Sequence, residues 1–190
     1  MKKLKTLALT TAVSLGLLGS NAAMAETQGS LGATSEGNFD ITYVKGTLVR
    51  IWGLEDFAFD NQADGASLTK DVCVFSNGNS NSNQYKLTVT SGNVFKLIDG
   101  ASNEADYTFD FGTKISGATT PAVWTNAAGN ESNGDQVGNI TAGALADQPN
   151  PNLDNCTSAE ANAQISITIP TVPTTAGVYT DNVVLLVAPE

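Results

Sequence analysis

The chain has 190 residues, with 9 Lys+Arg against 19 Asp+Glu, no His and two Cys, for a net charge of −10. Without His there is no Ser-His-Asp triad, no Cys-His pair and no imidazole metal site, and so acidic a surface repels phosphate backbones, which sets nucleic-acid binding aside. The length fits one ordinary domain with a real core.

Residues 1–25 read as a secretory signal peptide. Lys2, Lys3 and Lys5 form a charged start, and residues 7–18 are an apolar run too short to span a bilayer comfortably. Ala23-Met24-Ala25 supplies a small–x–small cleavage site, so the mature chain is expected to begin at Glu26. Removing three basic residues and no acidic one leaves 6 against 19, a net charge of −13. No later apolar stretch is long enough to cross a membrane, so no membrane insertion of the mature chain is expected. Export brings Cys73 and Cys156 into an oxidising compartment. They are too far apart to be a CxxC redox pair, and either an intramolecular or an intermolecular disulfide is open to them. An intramolecular bridge closing so long a loop would contribute on the order of 4 kcal/mol.

Beyond the leader the pattern has period two. Phe39, Ile41 and Tyr43 alternate with Asp40 and Thr42. Asp60, Gln62, Asp64, Gly65 and Asp71 fall at the oxygen-ligand spacings of a calcium loop. However, a Gln occupies the third position and Asp the twelfth, and a polar turn before the Cys73 strand accounts for them as well. Residues 76–83 are a polar loop that includes the turn dipeptide Asn77-Gly78. Tyr85, Leu87 and Val89 then alternate with Lys86, Thr88 and Thr90, and Tyr107, Phe109 and Phe111 with Thr108 and Asp110.

Residues 126–161 break this pattern. They are rich in Asn, Gly, Asp and Ala, and exceed the usual loop length. Cys156 near the end of this stretch would tie its base to the Cys73 strand. Val137, Ile140 and Leu145 could add a short strand or turn within it. Ala163, Ile165, Ile167 and Ile169 resume the alternation, with Pro170 and Pro173 beyond. Val183 to Val187 is apolar on both faces, which suits a strand in the middle of a sandwich. These elements predict an all-β, immunoglobulin-like antiparallel sandwich with one long loop excursion.

Three segments resemble the spore coat U domain family, the pilin subunits of archaic chaperone–usher pili. They are Phe39-Asp40-Ile41-Thr42-Tyr43-Val44, then Val72-Cys73-Val74 with Tyr85-Lys86-Leu87-Thr88-Val89, and Ala176-Gly177-Val178-Tyr179-Thr180-Asp181 running into the last apolar strand. The chain departs from that family in having no Cys in Leu48-Val49-Arg50-Ile51-Trp52. The resemblance implies a fimbrial subunit of the cell surface with roles in adhesion or biofilm formation. It also implies neighbouring pilin subunits, a periplasmic chaperone and an outer-membrane usher as partners. On this reading residues 26–44 donate a strand to a neighbour, with Phe39, Ile41 and Tyr43 as plugs; otherwise they form the first strand of their own domain.

A stand-alone secreted or periplasmic carbohydrate-binding sandwich is the alternative, using the 126–161 loop or Trp52 and Trp124 as stacking surfaces. A Trp in a sandwich more often packs inside. No pair of carboxylates and no Ser context such as GxSxG marks an enzyme, and no cofactor is implied.

Overall fold

The computed structural model of the chain describes residues 30–37, 39–78, 83–115, 118–127 and 130–190. The expected signal peptide lies outside them. The chain divides after Lys45. In the first part, the described residues carry no helix or strand, and their side chains are exposed. Phe39, Ile41 and Tyr43 are 75%, 85% and 83% exposed. None of residues 39–44 lies in a strand.

The described residues of the second part, Gly46–Glu190, form ten strands. A five-stranded sheet runs in the order β1 (Val49–Trp52), β2 (Ala66–Ser76), β9 (Ala163–Ile169), β6 (Thr108–Ile115) and β7 (Ala118–Thr125). A three-stranded sheet runs β10 (Val183–Pro189), β3 (Gln84–Ser91), β8 (Gln136–Thr141), and β4 (Lys96–Ile98) pairs with β5 (Glu104–Asp106). Every pairing is antiparallel. The protein is an all-β antiparallel sandwich, as its periodicity predicts.

The core is where the alternation places it. Tyr85, Leu87 and Val89 of β3 face Phe109 and Phe111 of β6 and Ile165, Ile167 and Ile169 of β9 in one buried cluster. Full burial of such side chains contributes roughly 1.5–3 kcal/mol each. Trp124 of β7 has no exposed surface, and it meets Phe95 at 5.5 Å and Phe109 at 5.6 Å between ring centroids. Its indole N–H donates to the Asp135 carbonyl at 3.1 Å, the partner a buried indole needs.

The 126–161 excursion does hold a short strand, with Val137 and Ile140 on β8, which pairs with β3. Leu145 follows in a turn and is exposed. One expectation changes, since the last strand is not central: among the described residues β10 pairs only with β3, at the edge of its sheet, and Val184 and Leu186 on its outer face are 55% and 61% exposed.

On the five-stranded sheet, Asp71 of β2 bonds Lys114 of β6 at 2.9 Å and accepts from Gln164 of β9 at 3.1 Å. Burial pushes this carboxyl up, but the Lys114 hydrogen bond, the Gln164 hydrogen bond and the Lys114 charge outweigh it and hold it below its ordinary value. A carboxyl depressed in the folded state adds stability above its unfolded pKa, and loses it as pH falls through the folded value. Urea midpoints are therefore expected to drop on acidification below about pH 4, with Asp71→Asn flattening that part of the profile. An unchanged slope in the variant would show that Asp71 has no such part.

Candidate functional site

The site is a groove of about 400 Å³ along the inner side of β10. Phe109 of β6 and Ile165 and Ile167 of β9 form its buried floor. Val183 and Leu185 of β10 line one side, and Leu54, Phe57 and Phe59, from the segment after β1, line the other.

The backbone of β10 is as informative as its side chains. Gly92 N–H donates to the Asn182 carbonyl at 2.9 Å, and Glu190 N–H to the Gln84 carbonyl at 3.1 Å. Antiparallel ladders alternate, so the even-numbered residues of β10 exchange bonds with β3. The N–H and C=O groups of Val183, Leu185 and Val187 point the other way, to the edge bordering the groove. Among the described residues, no strand pairs with that edge. The side chains of these three odd-numbered residues are half-buried and turned inward. An added strand would find backbone partners and an apolar floor together.

One end of the groove is organised by Asp181. Its carboxylate accepts from Ser91 Oγ (2.5 Å), Tyr107 OH (2.7 Å), Asn93 N–H (3.0 Å) and Asn182 N–H (2.7 Å). Ser91 Oγ in turn accepts from Phe95 N–H at 2.6 Å. This network holds a turn in which Val94 and Phe95 have φ of 55° and 59°, costly values for a β-branched and an aromatic residue. Burial first, and then the hydrogen bond to Asp181 and its charge, push the Tyr107 phenol above its ordinary pKa. Asp181→Ala leaves four donors unmatched and is expected to cost about 3 kcal/mol in urea denaturation. A loss below about 1 kcal/mol would mean that the turn holds without it.

The sequence candidates fall apart into different places. Cys73 and Cys156 are joined, with Cα atoms 5.7 Å apart, so the bridge is intramolecular. Phe39, Ile41 and Tyr43 sit exposed before the sandwich. Asp60, Asp64 and Asp71 do not converge. Asp60 accepts from Asn61, Asp64 accepts from the Val172 N–H, and Asp71 is held by Lys114. Among the described residues, no three acidic or Cys side chains gather to hold a metal ion. Trp124 has no exposed face for a sugar, and Trp52 is 6% exposed, with the Arg50 guanidinium 5.0 Å from its ring centre.

Periodicity alone does not reveal Asp181, Tyr107 OH or the unpaired side of β10. The only signal for the last is the conflict between a doubly apolar strand and its edge position. No helix among the described residues is long and apolar enough to cross a membrane.

No family model and no curated protein matches the chain. One solved structure, a chaperone–tip adhesin complex from CFA/I fimbriae biogenesis, is similar to it with a TM-score of 0.48 at 16% identity. The match covers 75% of this chain and 41% of that one, so the chain spans less than half of the solved chain's length.

Proposed function

We infer that this protein is an exported structural subunit that assembles head to tail into a surface fimbria, residues 26–44 of one copy entering the β10 groove of the next. The observation carrying this reading is β10 itself, a strand apolar on both faces that stands at a sheet edge beside an apolar groove, with no strand among the described residues pairing its inner backbone groups. A strand added there would make β10 central, the position its sequence suits. Phe39, Ile41 and Tyr43 repeat at the spacing of Val183, Leu185 and Val187, so three plugs match three positions along the edge. The donor and the groove are different surfaces, so the contact does not close on itself and builds a filament. A periplasmic chaperone would hold the same groove before assembly, and an outer-membrane usher would hand the subunit on. Adhesion or biofilm formation is the role this assembly implies.

A stand-alone glycan-binding module would use Trp52, Trp124 or the 126–161 loop. Both indoles are buried, and β8 occupies part of that loop. The test is electron microscopy of the purified mature chain, with and without residues 26–44. Regular filaments that disappear on deletion support the subunit reading; filaments that persist, or a monodisperse monomer at high concentration, overturn it.

A further inference from the structure

The geometry points to a second job for the segment joining β8 to β9: it guards the edge of β2 and so confines strand addition to β10. This rests on the subunit reading only for the use of the β10 edge.

β2 outruns its neighbour. Its pairing with β9 ends at Val72 opposite Ala163, yet β2 continues to Ser76. Asn77 N–H donates to the Leu48 carbonyl at 3.1 Å on the β1 side, so by alternation Val74 and Ser76 turn their N–H and C=O groups away from β1. There the chain offers side chains instead of a strand. Asn162 accepts from Val74 N–H at 2.8 Å and donates to Val74 C=O at 2.7 Å. Gln148 does the same for Ser76 at 2.9 and 3.0 Å. A carboxamide carries one acceptor and a donor side by side, as a facing strand residue does, and no charged side chain reproduces both. Each amide is itself fixed, Asn162 to the Ala142 carbonyl at 3.0 Å and Gln148 to the Gly143 carbonyl at 2.8 Å.

Anchoring a loop would need one bond to β2 from each side chain. Here both backbone groups of two successive edge positions are matched, which is how a sheet edge is closed against a second chain. Two of the outer strands, β7 and β8, show other blocks. Pro121 interrupts β7, and β8 is bulged against β3 with Asn139 at a φ of 58°. β10 has a continuous register along its length, with its only Pro at the end.

The test uses the mature chain carrying Gln148→Ala and Asn162→Ala. Amide exchange at Val74 and Ser76 is expected to speed up about tenfold or more. The exposed β2 edges of two copies should also pair antiparallel in a closed dimer, seen by sedimentation velocity, that survives deletion of residues 26–44. A folded variant with unchanged exchange at both amides overturns the guard, as does faster exchange with no dimer. Should the double variant not fold, Gln148→Ala alone frees Ser76 and leaves Val74 held. Faster exchange confined to Ser76 supports the guard, and equal protection of the two overturns it. Filaments lost on deletion without a dimer leave the donor reading standing and end the guard; a dimer without filaments does the reverse.

Discussion

A subunit lacking residues 26–44 and a second carrying Leu185→Lys should each stay monomeric alone and form a one-to-one heterodimer when mixed. The first keeps the groove and has nothing to donate. The second keeps Phe39, Ile41 and Tyr43, but places an ammonium beside the buried floor of Ile165 and Ile167. That charge would be desolvated with no partner as a strand entered, a cost that reaches several kcal/mol. On the donor side, three apolar side chains now more than 70% exposed would be lost from the contact. At about 2 kcal/mol each, their removal costs about 6 kcal/mol, or four decades of affinity. Size-exclusion chromatography with light scattering reads all three states. Association of either variant alone, or no complex from the mixture, rules out donation in this direction. Because the two mature variants would carry net charges of −10 and −12, the heterodimer should also form faster as salt rises.

Much of the sandwich is legible in the sequence because burial alternates with the pleat. Tyr85, Leu87 and Val89, and then Ile165, Ile167 and Ile169, announce their strands without knowledge of their partners. β7 is not legible in the same way, since its sequence ATTPAVWT carries a central Pro that reads as a breaker, and edge position is what makes the Pro tolerable. β10 is legible as a strand and misread in its place. Two apolar faces ordinarily mean two covered faces, yet among the described residues β10 has a strand neighbour on one side alone.

The groove was not legible in the sequence, because it is built from residues distant along the chain. Leu54, Phe109, Ile165 and Leu185 meet only when the two sheets face each other. Polar elements were the least readable. Asn162 and Gln148 sit in a segment whose composition suggests a solvated loop, yet their amides replace a missing strand. Asn and Gln give no periodic signal because their value lies in one donor–acceptor pair meeting one backbone residue. Asn133 makes the same paired contact with Ser91, at 2.7 and 3.1 Å, so the pattern is repeated where a second strand ends.

Breaking the disulfide should have the largest effect on folding. The bridge closes a loop of 83 residues, and its removal by Cys73→Ala with Cys156→Ala is expected to cost about 4 kcal/mol through the freedom returned to the unfolded chain. That is a large share of the roughly 5–15 kcal/mol that stabilises a typical domain. The native side adds to the loss. Cys73 is fully buried beside Trp52 and Ala161, and Cys156 packs against them. Gly53 lies so close that a Cβ there would come within 2.5 Å of the Cys156 Cβ. The Trp52 indole N–H donates to the Asn155 carbonyl at 3.2 Å, and Arg50 bonds the Leu153 carbonyl at 3.0 Å, so the bridge is the covalent member of a clamp on residues 151–156. Urea denaturation of the wild-type chain with and without reductant should reproduce the loss seen in the double Ala variant. Equal midpoints in oxidised and reduced protein would show that the bridge is dispensable. Reduction should also loosen the segment that carries Gln148, raising exchange at Ser76 before the β3 amides open.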